Sequence, residues 1–244
     1  MKTTLQNKTT IFILTMAVCI CLGFYSCKKD GTATKTPAAI TEADAVEVTT
    51  DAVVPANAGL VLQVGSSVNV YKTISLSCGV QKDSTITRSS ATGATPSYSY
   101  MLNYNYLLTC AGLIPNKVAF NFTGSTTYDG PKMTASDSST GSFILIGLPA
   151  GTSAYTLGIN YTRNGTHTSK IDAGNTFTSK LVITSTNIMI DKTSLQVLSG
   201  TAAVALTGSS TSGKTFSYTG IITFLSSNKA TLVLNSGTSY AIQW

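Results

Sequence analysis

The chain has 244 residues, of which 11% are charged, with 16 Lys and Arg against 10 Asp and Glu and a formal charge of +6. Sparse charge with many β-branched residues argues for an all-β exported domain and against a helical enzyme. There is no Lys/Arg cluster with interleaved aromatics and no Gly-rich phosphate loop opening a helix, so neither nucleic acid nor a nucleotide cofactor is indicated.

The N-terminus reads as a secretory signal. Lys2 and Lys8 supply a positive segment, residues 11–24 are almost unbroken apolar, and Ser26 is a small residue before a cut. The run is shorter than the roughly 18–20 residues of a membrane span. Loss of Lys2 and Lys8 would leave 14 basic against 10 acidic side chains, scattered along the chain. Ser26-Cys27 at the end of this run resembles the lipobox of bacterial lipoproteins, with Phe24 and Tyr25 where that family usually has Leu and a small residue. The start Ser26-Cys27-Lys28-Lys29-Asp30 is similar to that of Bacteroidota lipoproteins. The resemblance implies a signal over 1–26, acylation of Cys27, and attachment to the outer membrane of the cell envelope, on its periplasmic or its surface face. It implies no activity. Each buried acyl methylene contributes about 0.8 kcal/mol, so two or three chains would hold the protein permanently.

Residues 27–39 are polar and carry Pro37, as expected of a flexible tether. Residues 40–244 form one β-rich domain that opens with a short helix over about 41–54. Thr41 and Asp44 pair as a capping box and Pro55 ends the run. Ala43, Val46, Thr50 and Val53 share one face. Asp44, Glu47 and Asp51 share another, read as a solvated acidic stripe without basic partners.

Residues 59–64 suggest a short strand, and 68–78 a longer one by alternation. Residues 82–90 suggest a polar strand or loop, and 91–96 a turn. Asp83-Ser84-Thr85 resembles the short motif at which Bacteroidota glycosylate exported proteins. The most regular stretch is 97–110, where Tyr98, Tyr100, Tyr104 and Tyr106 share one parity. They suit a half-buried sheet face, or alternatively a ligand-stacking wall. Val118, Phe120 and Phe122 mark a strand. Residues 124–142 read as a loop whose Asp129 and Asp137 are too widely spaced for a calcium site. Strands follow over 142–148 and 154–162, and Asn164-Gly165 is a two-residue hairpin signal leading to a return over 166–171. After a turn at 173–175 come strands over 176–190 and 195–207, a loop at 208–213, and alternation through Phe216, Tyr218, Ile222 and Phe224. Turns at Ser227-Asn228 and Ser236-Gly237 bracket the final strands. Roughly eleven or twelve strands with short connections predict an antiparallel meander, forming a β-sandwich, a curved sheet or a partial barrel.

Two of the five cysteines, Cys78 and Cys110, lie beyond the signal region. In an exported chain such a pair predicts a disulfide, and strand parity places both on apolar faces. Two thiols cannot make a four-ligand zinc site, and no metal or other cofactor is expected. His167, the sole histidine, reads as an exposed strand residue. No Gly-x-Ser-x-Gly elbow accompanies it, so no catalytic residues are assigned and an enzyme is not expected. The reading that follows is a lipid-anchored envelope β-domain with a structural or binding role. One alternative is a carrier of an apolar ligand, its interior lined by the four tyrosines with Phe216 and Tyr218. The other is a membrane-embedded β-barrel, for which Trp244 resembles an end signal but Ser217, Thr219 and Thr223 are polar opposite the apolar parity.

Overall fold

The computed structural model describes residues 40–171 and 174–244. The expected signal (1–26), Cys27 and the tether (27–39) lie outside the described residues, as do Asp172 and Ala173 of the expected turn. Residues 37–244 form a compact unit of their own.

Helix α1 (Glu42–Val53) begins at the predicted capping box. The Asp44 amide donates to Thr41 Oγ1 at 3.2 Å, and the Thr41 amide donates to Asp44 Oδ2 at 3.1 Å. After a short 3-10 turn at Pro55–Asn57 comes a second helix, α2 (Leu60–Thr73). This corrects the two strands expected at 59–64 and 68–78. Leu60, Val64 and Val68 bury at helical spacing, with Gln63 and Ser67 beside them, and that period outweighs the alternation at Val68, Val70 and Ile74.

Ten antiparallel strands follow in one sheet, each hydrogen-bonded to the next in sequence. They are β1 (Gln81–Ser89), β2 (Ser97–Ala111), β3 (Ile114–Asp129), β4 (Met133–Ile146), β5 (Ala154–Ser169), β6 (Thr176–Asp191), β7 (Val197–Ser210), β8 (Thr215–Leu225), β9 (Lys229–Leu234) and β10 (Ser239–Gln243). The strand count falls below expectation because 60–73 is helix and the strands expected at 154–162 and 166–171 are one, β5. Residues 124–142, expected as a loop, are the upper halves of β3 and β4. Asn164-Gly165, expected as a hairpin turn, lies inside β5 and pairs in register with Ser138 and Asp137. β7 also extends to Ser210, into the expected loop. The turn at Ser227-Asn228 is real, with positive φ of 66° and 59° suiting the primed hairpin geometry.

Burial alternates along the strands, and their inward side chains join those of α1 and α2 in one core. The helix pair reaches both sides of the sheet. Tyr104 on β2 bonds Gln63 of α2, while Tyr218 on β8 donates to the Ile40 carbonyl (3.1 Å) and Tyr240 on β10 to Glu42 (2.6 Å). A flat ten-stranded sheet would span roughly 45 Å at ~4.8 Å per strand. Two helices about 10 Å across reach both its sides only because the sheet curls around them. It stays open, since β1 and β10 are not paired with each other. The edge strands are short, with 9 residues in β1 and 5 in β10 against 16 in β5, which limits edge-to-edge association.

Because the strands alternate in direction, connections gather at two rims. The upper rim carries the β1–β2, β3–β4, β5–β6, β7–β8 and β9–β10 turns. The lower rim carries the other four and Trp244. Among the described residues, no helix is long and apolar enough to cross a membrane.

Candidate functional site

The tyrosines of β2 lie on the inward face. Tyr98 is half-buried, whereas Tyr100, Tyr104 and Tyr106 are buried. Their rings are engaged with one another and with β3: Tyr104 stacks on Tyr106 at 5.8 Å, Tyr106 meets Phe120 edge-on at 5.3 Å, and Tyr104 leans on Phe122 at 5.6 Å. Burial pushes the Tyr106 hydroxyl up to about 12 and raises that of Tyr104 as well. These side chains pack the core of the curled sheet, with Phe216 and Tyr218 half-buried against the same core.

Cys78 and Cys110 form a disulfide with a Cα separation of 5.7 Å, closing a segment of 32 residues. The parity argument holds for neither sulfur's setting. Cys78 lies in the connector from α2 to β1 and is exposed, and Cys110 is only half-buried, after the β2 irregularity at Thr109. The bridge ties the base of the β2–β3 hairpin to that connector, where Cys78 also pairs with Leu108.

His167 is buried, with 4% of its surface exposed, which corrects the exposed position expected of it. The acidic stripe of α1 is also corrected, because it turns inward rather than to solvent. Asp44 is 0% exposed and Asp51 5%. Its partners are Ser169 at the end of β5, Lys132 in the β3–β4 turn and Asn57 in the 3-10 turn that follows the helix. Ser169 donates to Asp44 Oδ1 (2.5 Å), Lys132 pairs with Glu47 (3.1 Å), and Asn57 donates to Asp51 Oδ1 (2.7 Å). Beneath Asp51 lies Arg163 of β5, whose guanidinium donates to the Asp51 carbonyl (3.0 Å), the Asn57 carbonyl (3.3 Å) and Asp137 Oδ2 (2.6 Å). His167 Nε2 is 2.8 Å from Ser179 Oγ and 3.5 Å from Asp137 Oδ1. Gly165 makes room for this arrangement: a Cβ there would run into the Asp137 carboxylate. The Asn164-Gly165 pair therefore serves packing rather than turning.

The cluster resembles a Ser-His-Asp triad only in composition. In a triad, one ring nitrogen faces the serine and the other the carboxylate. Here Nε2 faces both, and Nδ1 is buried without a partner. Burial lowers the His167 pKa to about 4, with Arg163 adding to that effect and Asp137 opposing it. Burial raises Asp51 to about 8, helped by Glu47 and opposed by Arg163. The chemistry fits a docking joint between α1 and the sheet: one buried cation neutralised by a carboxylate, a neutral histidine, and a protonated Asp51.

Asp129 and Asp137 fall on opposite faces. Asp129 is exposed and pairs with Lys170 (2.5 Å), while Asp137 is buried in the cluster. Asp191 serves its turn by accepting from the amides of Thr193 (2.9 Å) and Ser194 (2.6 Å). Among the described residues no three His, Cys, Asp or Glu side chains are grouped to hold a metal ion. Ser84 faces inward opposite Tyr104 and is half-buried, with Asp83 and Thr85 exposed on either side.

The outward face is rich in hydroxyl and amide side chains over the upper and middle parts of β1 to β7, with Met101 among them, whereas β8 and β9 pair the exposed Ile221 and Val233 there. Register aligns Ser89, Ser99, Thr127, Ser136, Thr166, Thr178, Ser209 and Thr215 in one row across eight strands. Thr85, Asn103, Thr123, Thr140 and Thr162 form another. Each strand shows its polar positions in the sequence, but only the pairing register assembles them into rows. No family model matches this chain, and neither a curated protein nor a solved structure is detectably similar to it.

Proposed function

We propose that the protein is a non-catalytic, lipid-anchored module of the cell envelope that meets its partners on the outer face of the curled sheet. One observation carries the binding part of this reading: the inward face is given over to packing. The two helices and the aromatic side chains of β2 to β5 occupy the concave side, and the Asp137-Arg163-His167 cluster is buried beneath α1. The surface left to a partner is then the outer face with its hydroxyl and amide rows. Those polar rows also support a domain standing outside the hydrocarbon core, since a lipid-facing barrel needs an apolar band there. The filled interior weighs against a carrier of an apolar ligand, which needs a cavity.

The anchoring part rests on the lipobox-like Ser26-Cys27 and the polar tether behind it. Intact mass of the membrane-extracted protein tests it. The expected result is a chain beginning at Cys27 and carrying acyl groups, with Cys27→Ala moving the protein to the soluble fraction. An unmodified mass in the membrane fraction would overturn the anchor.

A further inference from the structure

Below the hydroxyl rows, the outer face changes character at the lower rim of β2 to β4. Leu107 and Ile144 lie in one register row on either side of Ala119, and Ile146 follows Ile144 on the same face. Leu107 is 36% exposed, Ile144 38% and Ile146 46%. Beside them Val80 enters β1, 51% exposed. The tip of the β2–β3 hairpin presents Leu113 and Ile114, at 94% and 66%. Six of the twelve large apolar side chains exposed among the described residues are thus gathered at this one rim. A hairpin tip of Gly-Leu-Ile, where turns ordinarily carry polar residues, has no role in packing this domain.

Lysines outnumber acids at that rim. Lys117 stands three residues from Ile114 on the same hairpin, and Lys229 follows the β8–β9 turn, both exposed. Lys72 and Lys192 lie at the same rim. Asp191 is the acid facing this group along the rim, and its carboxylate is taken up by the Thr193 and Ser194 amides. On β1, Lys82 donates to the Ser75 carbonyl (2.5 Å), and Asp83 on the opposite face accepts from Gln81 (3.1 Å). The disulfide holds the base of the hairpin, so the tip is presented on a rigid mount.

We infer that this lower rim is a membrane-contact surface, with the Leu113-Ile114 tip inserting among acyl chains and Lys117 meeting anionic lipid headgroups. An apolar tip with the exposed Lys117 beside it is complementary to an anionic bilayer. Lysine stems can lie along the acyl boundary while their ammonium groups stay among phosphates. The inference takes its setting from the anchoring proposed above. A tether from Cys27 to Ile40 reaches at most about 45 Å, so an acylated Cys27 would keep the domain within that distance of the bilayer.

The test is independent of acylation. A chain beginning at Lys28 retains the whole 37–244 unit and lacks both the signal and Cys27. It is mixed with vesicles of phosphatidylcholine alone, or of phosphatidylcholine with phosphatidylglycerol, and floated through a density gradient. The expected result is flotation with the anionic vesicles, weakened by salt. Leu113→Asp with Ile114→Asp should reduce the bound fraction about ten-fold, and Lys117→Glu should reduce it on anionic vesicles. Thr140→Asp with Thr162→Asp, in the hydroxyl rows, should leave binding unchanged. Circular dichroism and the disulfide mass confirm folding, which substitutions at so exposed a tip should not disturb. No flotation with either vesicle, or undiminished flotation of the hairpin variant, would overturn the inference. Neither result would bear on the mass of Cys27, so failure here is distinguishable from failure of the anchor.

Discussion

Asp51 and His167 are both buried and uncharged at neutral pH, and they couple folding to pH in opposite directions. Asp51 holds its proton to about pH 8 in the folded chain, against an ordinary 3.8. Between those values only the unfolded chain releases the proton, so stability falls as pH rises. His167 holds no proton until about pH 4, against an ordinary 6.5. Between those values only the unfolded chain takes one up, so stability falls as pH drops. From pH 4 to 6.5 the two largely cancel. From 6.5 to 8 Asp51 acts alone, and stability should decline by up to about 1.4 kcal/mol per pH unit, or roughly 2 kcal/mol across the window. Urea unfolding at several pH values measures this. Asp51→Asn should flatten the decline, and a wild-type midpoint that does not change from pH 6.5 to 8 would refute it. Neither residue's state was legible from the sequence. Asp51 looked like a member of a solvated stripe and His167 like an exposed strand residue, because what buries them, Arg163, Asp137 and Ser179, arrives from strands more than eighty residues from where α1 ends, at Val53.

Among the elements, α1 was fully marked by local signals, its capping box at one end and Pro55 at the other. α2 was not, because its Val-rich sequence alternates as well as it spirals. Interior packing decided between the two, placing Leu60, Val64 and Val68 on one buried face. In the same way β3 and β4 run through Gly, Ser and Thr that carry no apolar signal. They are strands because their neighbours pair with them, and the inward Asp137 of β4 holds Arg163, which reaches the Asp51 carbonyl of α1. The disulfide was legible from the expectation of export and from the pair of cysteines left beyond the expected signal, but its mounting was not. In the chain-entropy picture, closing 32 residues stabilises by roughly 3–4 kcal/mol. Cys78→Ala with Cys110→Ala should lower the unfolding free energy by about that amount, measured by urea titration against the oxidised chain. A loss no larger than experimental scatter would mean that the α2–β1 connector is held without it.

Across the whole molecule, one open sheet depends on its last short strand. β10 buries Ile242, rests Trp244 against Phe224, and reaches α1 through Tyr240 and Glu42. Deleting Tyr240–Trp244 should cost about 3–5 kcal/mol and expose the edge of β9 to other chains. Sedimentation should then show concentration-dependent association that the intact chain lacks, and a monomeric, equally stable deletion would refute it. What the sequence by itself determined is what local chemistry encodes: a β-rich chain, its short turns, a capped first helix and a cysteine pair fit to bridge, together with the motif on which the proposed export and anchoring rest. What only the tertiary structure decided is what depends on register and burial. These are the curl of the sheet around two helices, the tyrosine face given to the core, the charge cluster beneath α1, and the division of the outer face into hydroxyl rows and an apolar rim. A single strand can show which of its residues are polar. Only pairing in register shows which of them stand side by side, and only the closing core shows which are withdrawn from water.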